Sequence, residues 1–260
     1  MNDEFYIGWE ERAPRSHSRW VRSWIVLASI LVTGLSIALA MSQSGIGEAV
    51  FEWNMEREFE GVLRVEPVPH LVIGNADGTR TTHLLVNPWK FGFDPVTAAA
   101  WKDRSVRLKG KTIARGTQRM IEVRPDSVRP AGEGEGARRD APVPEAGADR
   151  DERWVSRTLR GEIVDSKCWL GVMNPGRLAT HRGCAVRCLS GGIPPILLVQ
   201  YASGRTEHYL MVGSDGRALN REILEFVAEP VEIRGEVRIE GDLRVLRAEP
   251  SDIRRLDGGQ

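Results

Sequence analysis

Val106 to Arg129 reads VRLKGKTIARGTQRMIEVRPDSVR, and Val231 to Arg254 reads VEIRGEVRIEGDLRVLRAEPSDIR. The two stretches align without a gap, every pair standing 125 positions apart. Val106/Val231, Gly110/Gly235, Gly116/Gly241, Arg119/Arg244, Pro125/Pro250 and Arg129/Arg254 are identical. Most other pairs, such as Leu108/Ile233 and Val128/Ile253, keep the alternation of a half-buried strand. Matched glycines in an unbroken register indicate a duplicated unit rather than two unrelated amphipathic hairpins.

Working outward, Gly61–Val65 (GVLRV) matches Gly161–Asp165 (GEIVD), and His83–Val86 (HLLV) is set against Ile196–Val199 (ILLV). In the second copy the pattern predicts strands over 158–165, 195–201, 206–212, 231–239 and 242–248. A helix is expected over 219–227, with Ile223, Leu224 and Val227 on one face. In the first copy Asp94 and Pro95 suit the N-cap and first position of a helix that ends near Trp101. The order strand, strand, strand, helix, strand, strand is that of an OB-fold, a small five-stranded barrel. The expected fold class is mainly β: one N-terminal transmembrane helix followed by two OB-like small β-barrels. A pair of small β-sandwiches is the alternative.

Between the copies, residues 130–156 are filled with Gly, Pro, Ala and charged residues. Such a stretch cannot bury enough apolar surface to offset its ordering entropy and reads as a flexible linker. It separates a first domain, 55–129, from a second, 157–257.

Trp24 to Met41 (WIVLASILVTGLSIALAM) carries no charge. At 1.5 Å per residue it spans about 27 Å, close to the hydrocarbon thickness of a bilayer. Arg12, Arg15, Arg19 and Arg22 precede it, and the next basic residue is Arg57. The positive-inside rule therefore puts tail 1–23 in the cytoplasm and the remainder outside, in a periplasmic or other extracytoplasmic space of a bacterial inner membrane. A secretory signal cut after Ala38-Leu39-Ala40 competes with this anchor, but the preceding charged region is long for one.

Thirty-six Lys plus Arg balance 36 Asp plus Glu. No net field draws the chain to nucleic acid, so the partners expected are the membrane and a protein in or beside it. The three cysteines are too few for a disulfide scaffold. All lie between the first strand of the second copy and Ile196, in an insertion for which the first copy offers only the shorter, cysteine-free Pro67–Thr82. In a helical turn over 180–189, His181, Cys184 and Cys188 fall on one face, and Cys168 could close over them. Three thiolates and an imidazole form a tetrahedral zinc set; thiolate-rich sites also suit copper(I), with Met173 as an added thioether. Arg182 and Arg187 would favour thiolates. Outside the cytoplasm the same cysteines suit a disulfide staple with one thiol to spare, or a redox-active thiol. Asp165 and Lys167 could tune Cys168 or form a solvated charge pair.

Gly191 to Pro195 (GGIPP) most simply ends the insertion and launches the next strand. His70, His83 and His208 are isolated and read as surface or barrel histidines. Among the described motifs there is neither a hydrolase elbow, a Walker A loop nor a dinucleotide fingerprint. Three functions stay open: a non-enzymatic accessory protein of a redox or metal-handling system, a thiol–disulfide exchanger, and a structural or oligosaccharide-binding module. The last would use Trp169, Tyr201 and Tyr209 on a barrel face.

The pattern D-S-K-C…H-R-x-C-A-x-x-C…G-G-x-P-P, Asp165 to Pro195, resembles a motif of uncharacterised bacterial membrane-anchored proteins with an OB-like exterior, the resemblance covering roughly 161–200 and the rest only by layout. The resemblance implies an extracytoplasmic location and carries no settled activity.

Overall fold

The computed structural model describes residues 14–43, 49–132 and 153–256. The tail before residue 14 and most of the expected linker, 133–152, lie outside them. Two units are distinct, one ending at Gly47 and one from Glu48 onward.

The first unit holds a single helix, α1 (Arg15–Gln43). From His17 to Ser42 it is long and apolar enough to cross a membrane, and none of that window is buried within the protein. The expected span, 24–41, lies inside it. Trp20 and Trp24, one turn apart, meet edge to face at 6.0 Å.

The second unit contains two closed five-stranded barrels. In the first, β2 (Arg57–Arg64), β3 (His70–Gly74), β4 (Arg80–Val86), β6 (Gln118–Val123) and β5 (Ser105–Arg115) follow one another around the ring, and β5 pairs back to β2. In the second, β8 (Val155–Asp165), β9 (Pro195–Gln200), β10 (Thr206–Val212), β12 (Leu243–Arg247) and β11 (Pro230–Glu240) repeat that order. Each ring closes through one parallel pair, β4 with β6 and β10 with β12. This is the expected OB-like topology. Short strands β1 (Ala49–Phe51) and β7 (Arg129–Pro130) extend β5, and β13 (Ile253–Arg255) extends β11.

The repeat is visible in the register. Gly61 faces Val106 and Gly161 faces Val231; Ile113 faces Met120 and Arg238 faces Val245. Gly116 (φ 56°) and Gly241 (φ 61°) make the equivalent hairpin turns in the left-handed region, where a Cβ is strained. One alignment shifts: Leu84 pairs with Met120 and Leu210 with Val245, so HLLV corresponds to Tyr209–Val212. ILLV corresponds instead to His70–Ile73, since Val62 faces Val72 and Glu162 faces Leu198. Short, fully buried apolar runs carry no alternation that would tell one strand from the next. The segment of the first barrel equivalent to the insertion therefore shrinks from Pro67–Thr82 to residues 66–68, against 166–194 in the second.

The helix of the first copy, α2 (Pro95–Ala100), forms as expected, with the Asp94 carboxylate accepting from the Thr97 N–H at 2.8 Å. Its counterpart over 219–227 shrinks to one 3₁₀ turn, Leu224–Phe226. The Asn220 amide donates to the carbonyls of Leu189 and Ile193 in the insertion, at 2.9 and 2.8 Å, which holds this stretch to another path. Ile223 and Val227 are still buried.

Each barrel has its own core, around Leu63, Leu85 and Ile121 in the first and Leu197, Met211 and Val231 in the second. A third core is shared: Val68, Leu84, Ile113 and Met120 pack with Trp169, Leu170, Ile193 and Leu210. The barrels thus sit directly on one another. At this interface Gly92 N–H donates to Gly191 O at 2.9 Å. A Cβ on Gly191 would lie 1.9 Å from Lys90 O, and one on Gly92 2.2 Å from Gly192 O. The GGIPP glycines therefore serve a close backbone approach to the first barrel as well as ending the insertion.

Gly191→Ala should destabilise the full chain by about 2–4 kcal/mol in denaturant unfolding, because backbone must move on both sides. Gly183→Ala, within helix α3 (Arg182–Ser190) and with open space around it, should change stability by under about 1 kcal/mol, in the stabilising direction.

Candidate metal centre

The insertion starts where β8 ends. Asp165, the last residue of that strand, is fully buried. One carboxylate oxygen accepts from the Cys168 N–H at 2.8 Å, and the other lies 3.0 Å from His181 Nε2. It closes the turn that presents Cys168 and holds the imidazole. A wide helical turn over Cys168–Val172 follows. Glu162 then accepts from the Leu178 N–H, where the backbone takes a left-handed conformation (φ 68°), and the chain enters α3.

Cys184 and Cys188 lie one turn apart on α3 and face Cys168. The Cys168 sulfur is 3.9 Å from each of the other two. All three thiols are free, so the expected staple is not formed: a bonded pair stands at about 2.05 Å. The spacing matches a different geometry. With metal–sulfur bonds of about 2.3 Å, thiolates at tetrahedral angles stand about 3.8 Å apart. The three sulfurs lie within 4.8 Å of one another, as do the ligand atoms of Asp165, Cys168 and His181. His181 thus joins Asp165 and Cys168 rather than forming a single set with Cys184 and Cys188. It precedes α3 in a separate 3₁₀ turn, Ala179–His181, which turns the imidazole toward Asp165.

Lys90, in the loop between β4 and α2 of the first barrel, completes the cluster. Its ammonium donates to Cys184 Sγ at 2.7 Å and approaches Cys188 Sγ at 3.7 Å. The bond to Cys184 raises the Lys90 pKa and keeps it charged. The hydrogen bond from Cys168 lowers the Cys188 thiol, with Lys90 assisting. The same bond, burial and the Asp165 charge push Cys168 up. The two hydrogen-bonded thiols are thus pushed apart, Cys188 down and Cys168 up.

Other expected roles change. Lys167 is 2% exposed and does not tune Cys168. Its ammonium donates to Asn87 O (2.9 Å) and Trp89 O (2.7 Å) and pairs with Glu122 (2.7 Å), all in the first barrel. Asp165 is likewise no solvated charge. Arg182 pairs with Glu229 and donates to Glu225 O, so among the described residues it is Lys90 that brings a cation to the thiols. Arg187 and Met173 are exposed. Trp169 and Tyr209 are buried, Trp169 beneath the Arg115 guanidinium at 4.0 Å, so they offer no open aromatic platform for a sugar.

Lys90 and Glu122 are the residues that sequence reading missed. Neither lies in a cysteine-containing segment, and only the docking of one barrel on the other brings them to the insertion. The chain matches no protein-family model, and no curated protein sequence matches it.

Lys167→Met should cost about 3–5 kcal/mol in denaturant unfolding, because it strands the buried Glu122 carboxylate. Lys167→Met with Glu122→Leu should recover most of that loss.

His83 and His208 give a second, pH-dependent expectation. Burial first, then Arg119 beside His83 and Arg115 and Arg244 beside His208, lowers each to about 4, against opposing pulls from Asp242 and Glu207. Above pH 6.5 both are neutral, folded or unfolded. Between pH 6.5 and 4 the unfolded chain takes up protons that the fold refuses, so stability falls with pH by up to about 1.4 kcal/mol per unit per histidine. Melts across that window should lose part of this slope in His83→Gln, and the idea is sunk if melting is flat from pH 7 to 4.5.

Proposed function

We propose that this chain is a membrane-tethered, non-enzymatic accessory protein that holds a soft metal ion, zinc(II) or copper(I), on Cys168, Cys184 and Cys188, within an extracytoplasmic metal-handling system. The observation that carries this is the set of three unbonded thiols at metal-ligand spacing. Three thiolates and a divalent ion leave one net negative charge, and Lys90 supplies the compensating positive one beside Cys184. Asp165 and His181 are spent on orienting Cys168 and on each other, which suits a supporting shell around ligands better than acid–base catalysis.

Three protein ligands leave a tetrahedral ion one open position. Cys184 is the half-buried member of the trio, so that position would face the side from which a partner's ligand can arrive. The apolar α1 supports the tether, and the arginines before it, with none again until Arg57, support barrels on the outer face of a bacterial inner membrane. The resemblance of the D-S-K-C…H-R-x-C-A-x-x-C…G-G-x-P-P pattern to membrane-anchored OB-like proteins agrees with that placement.

A thiol–disulfide exchanger is the second reading, favoured by the cation against Cys184. Elemental analysis and thiol titration of the full chain, purified in detergent without chelators, separate the two. One equivalent of zinc or copper with no disulfide is expected, with metal lost in Cys184→Ser and affinity about 10–100-fold weaker in Asp165→Asn. A metal-free protein that cycles between three thiols and one disulfide would instead favour exchange.

A further inference from the structure

The 2.7 Å between Lys90 Nζ and Cys184 Sγ is short for an ammonium resting against a sulfur, given the size of the sulfur atom. It is a gap that a single oxygen, bonded to both atoms, would span. Lys90 is held there by the backbone around it. Lys167 grips the carbonyls of Asn87 and Trp89, Trp89 is locked at φ 63°, and Gly92 N–H is bonded to Gly191 O. Cys168 and Cys188 are buried, whereas Cys184 is partly open to solvent, so a small oxidant reaches Cys184 first.

We propose that Lys90 and Cys184 are a modification site, closing into a covalent Nζ–O–Sγ bridge when the metal-free protein meets peroxide. The Cys184 thiolate attacks one oxygen of hydrogen peroxide. The O–O bond breaks, sulfur loses two electrons, and the leaving hydroxide takes a proton from the Lys90 ammonium and departs as water, leaving a sulfenic acid beside a neutral lysine amine. A second peroxide takes two electrons from the lysine nitrogen as the N–O bond forms, and the protons given up by Lys90 and the sulfenic acid depart with two waters. In sum, one thiol, one amine and two peroxides give the bridge and three waters. The competing fate of a sulfenic acid is attack by a thiol, but Cys168 stands 3.9 Å from Cys184 while the lysine nitrogen is at 2.7 Å.

The bridge removes Cys184 from any metal-ligand set and ties the two barrels together covalently. It is thus an oxidative lock on the site, and it stands without the metal reading, because the metal-free chain is what reacts. All three cysteines lie beyond residue 167, so no disulfide within one chain can join the barrels.

The full chain, stripped of metal and reduced, is treated with a few equivalents of hydrogen peroxide and read by intact mass and peptide mapping. The expected product is heavier by about 14 Da, one oxygen gained and two hydrogens lost, and contains a cross-linked peptide joining Lys90 to Cys184. Dithiothreitol should reverse it, and Lys90→Arg and Cys184→Ser should each abolish it. A loss of about 2 Da without the cross-link, a gain of about 16 or 32 Da confined to a cysteine peptide, or no change would each overturn the proposal. The wild-type mass decides whether or not the variants fold. A chain that binds no metal but forms the bridge loses only the metal reading, and one that binds metal but forms no bridge loses only this one.

Discussion

The ammonium of Lys167 has left water completely, and desolvating such a group costs several kcal/mol unless every donor is satisfied. Its three N–H groups meet two carbonyls and one carboxylate, and all three acceptors belong to the first barrel. The arrangement stands only if Asn87, Trp89 and Glu122 are presented together against the insertion of the second barrel. That presentation requires the glycine-to-glycine approach at Gly92 and Gly191 and the shared apolar core around it. The ion pair thus acts less as a source of net stability than as a register pin, since any other docking of the barrels would strand a charge.

The thiol site inherits this geometry. Two of the three groups that fix Lys167 are the carbonyls of Asn87 and Trp89, three and one residues before Lys90, so the contact that docks the barrels also aims the Lys90 ammonium at Cys184. Asp165, three residues before Cys168, does the corresponding work from the other side. Within the four consecutive residues Asp165, Ser166, Lys167 and Cys168, one orients the thiol, one anchors the partner barrel and one is the thiol. This explains why those residue types stand so close together.

Much of the fold was legible because duplication checks itself: a gapless offset between two alternating hairpins predicts paired strands twice over, and the register of β5–β6 and β11–β12 repeats it. The cysteine grouping was legible for the same reason that helical spacing is, since Cys184 and Cys188 lie one turn apart. What was not legible depends on surfaces meeting. The runs HLLV and ILLV look alike because both are buried on every side. The helix expected over 219–227 has a helical pattern but is bound by Asn220 to an element 27 to 31 residues earlier. His181 keeps the predicted spacing and still turns away, because Asp165 offers it a buried carboxylate.

The asymmetry of the two copies accounts for where the chemistry sits. In the first barrel the connection between the first two strands is short and contributes Val68 to the shared core; in the second, the same connection has grown into a platform that covers the neighbouring barrel. A loop of that length on an isolated barrel would have to pack its apolar residues on itself. Against a second copy it finds a ready surface, and Trp169, Leu170 and Ile193 fill it. The thiols follow from that packing. They lie at the rim of a core that excludes water on one side and opens on the other, with a lysine lent by the partner barrel. A single OB-like barrel carrying the same insertion would keep the three cysteines but lose both the cation and the wall that fixes their spacing, so the duplication is part of the site.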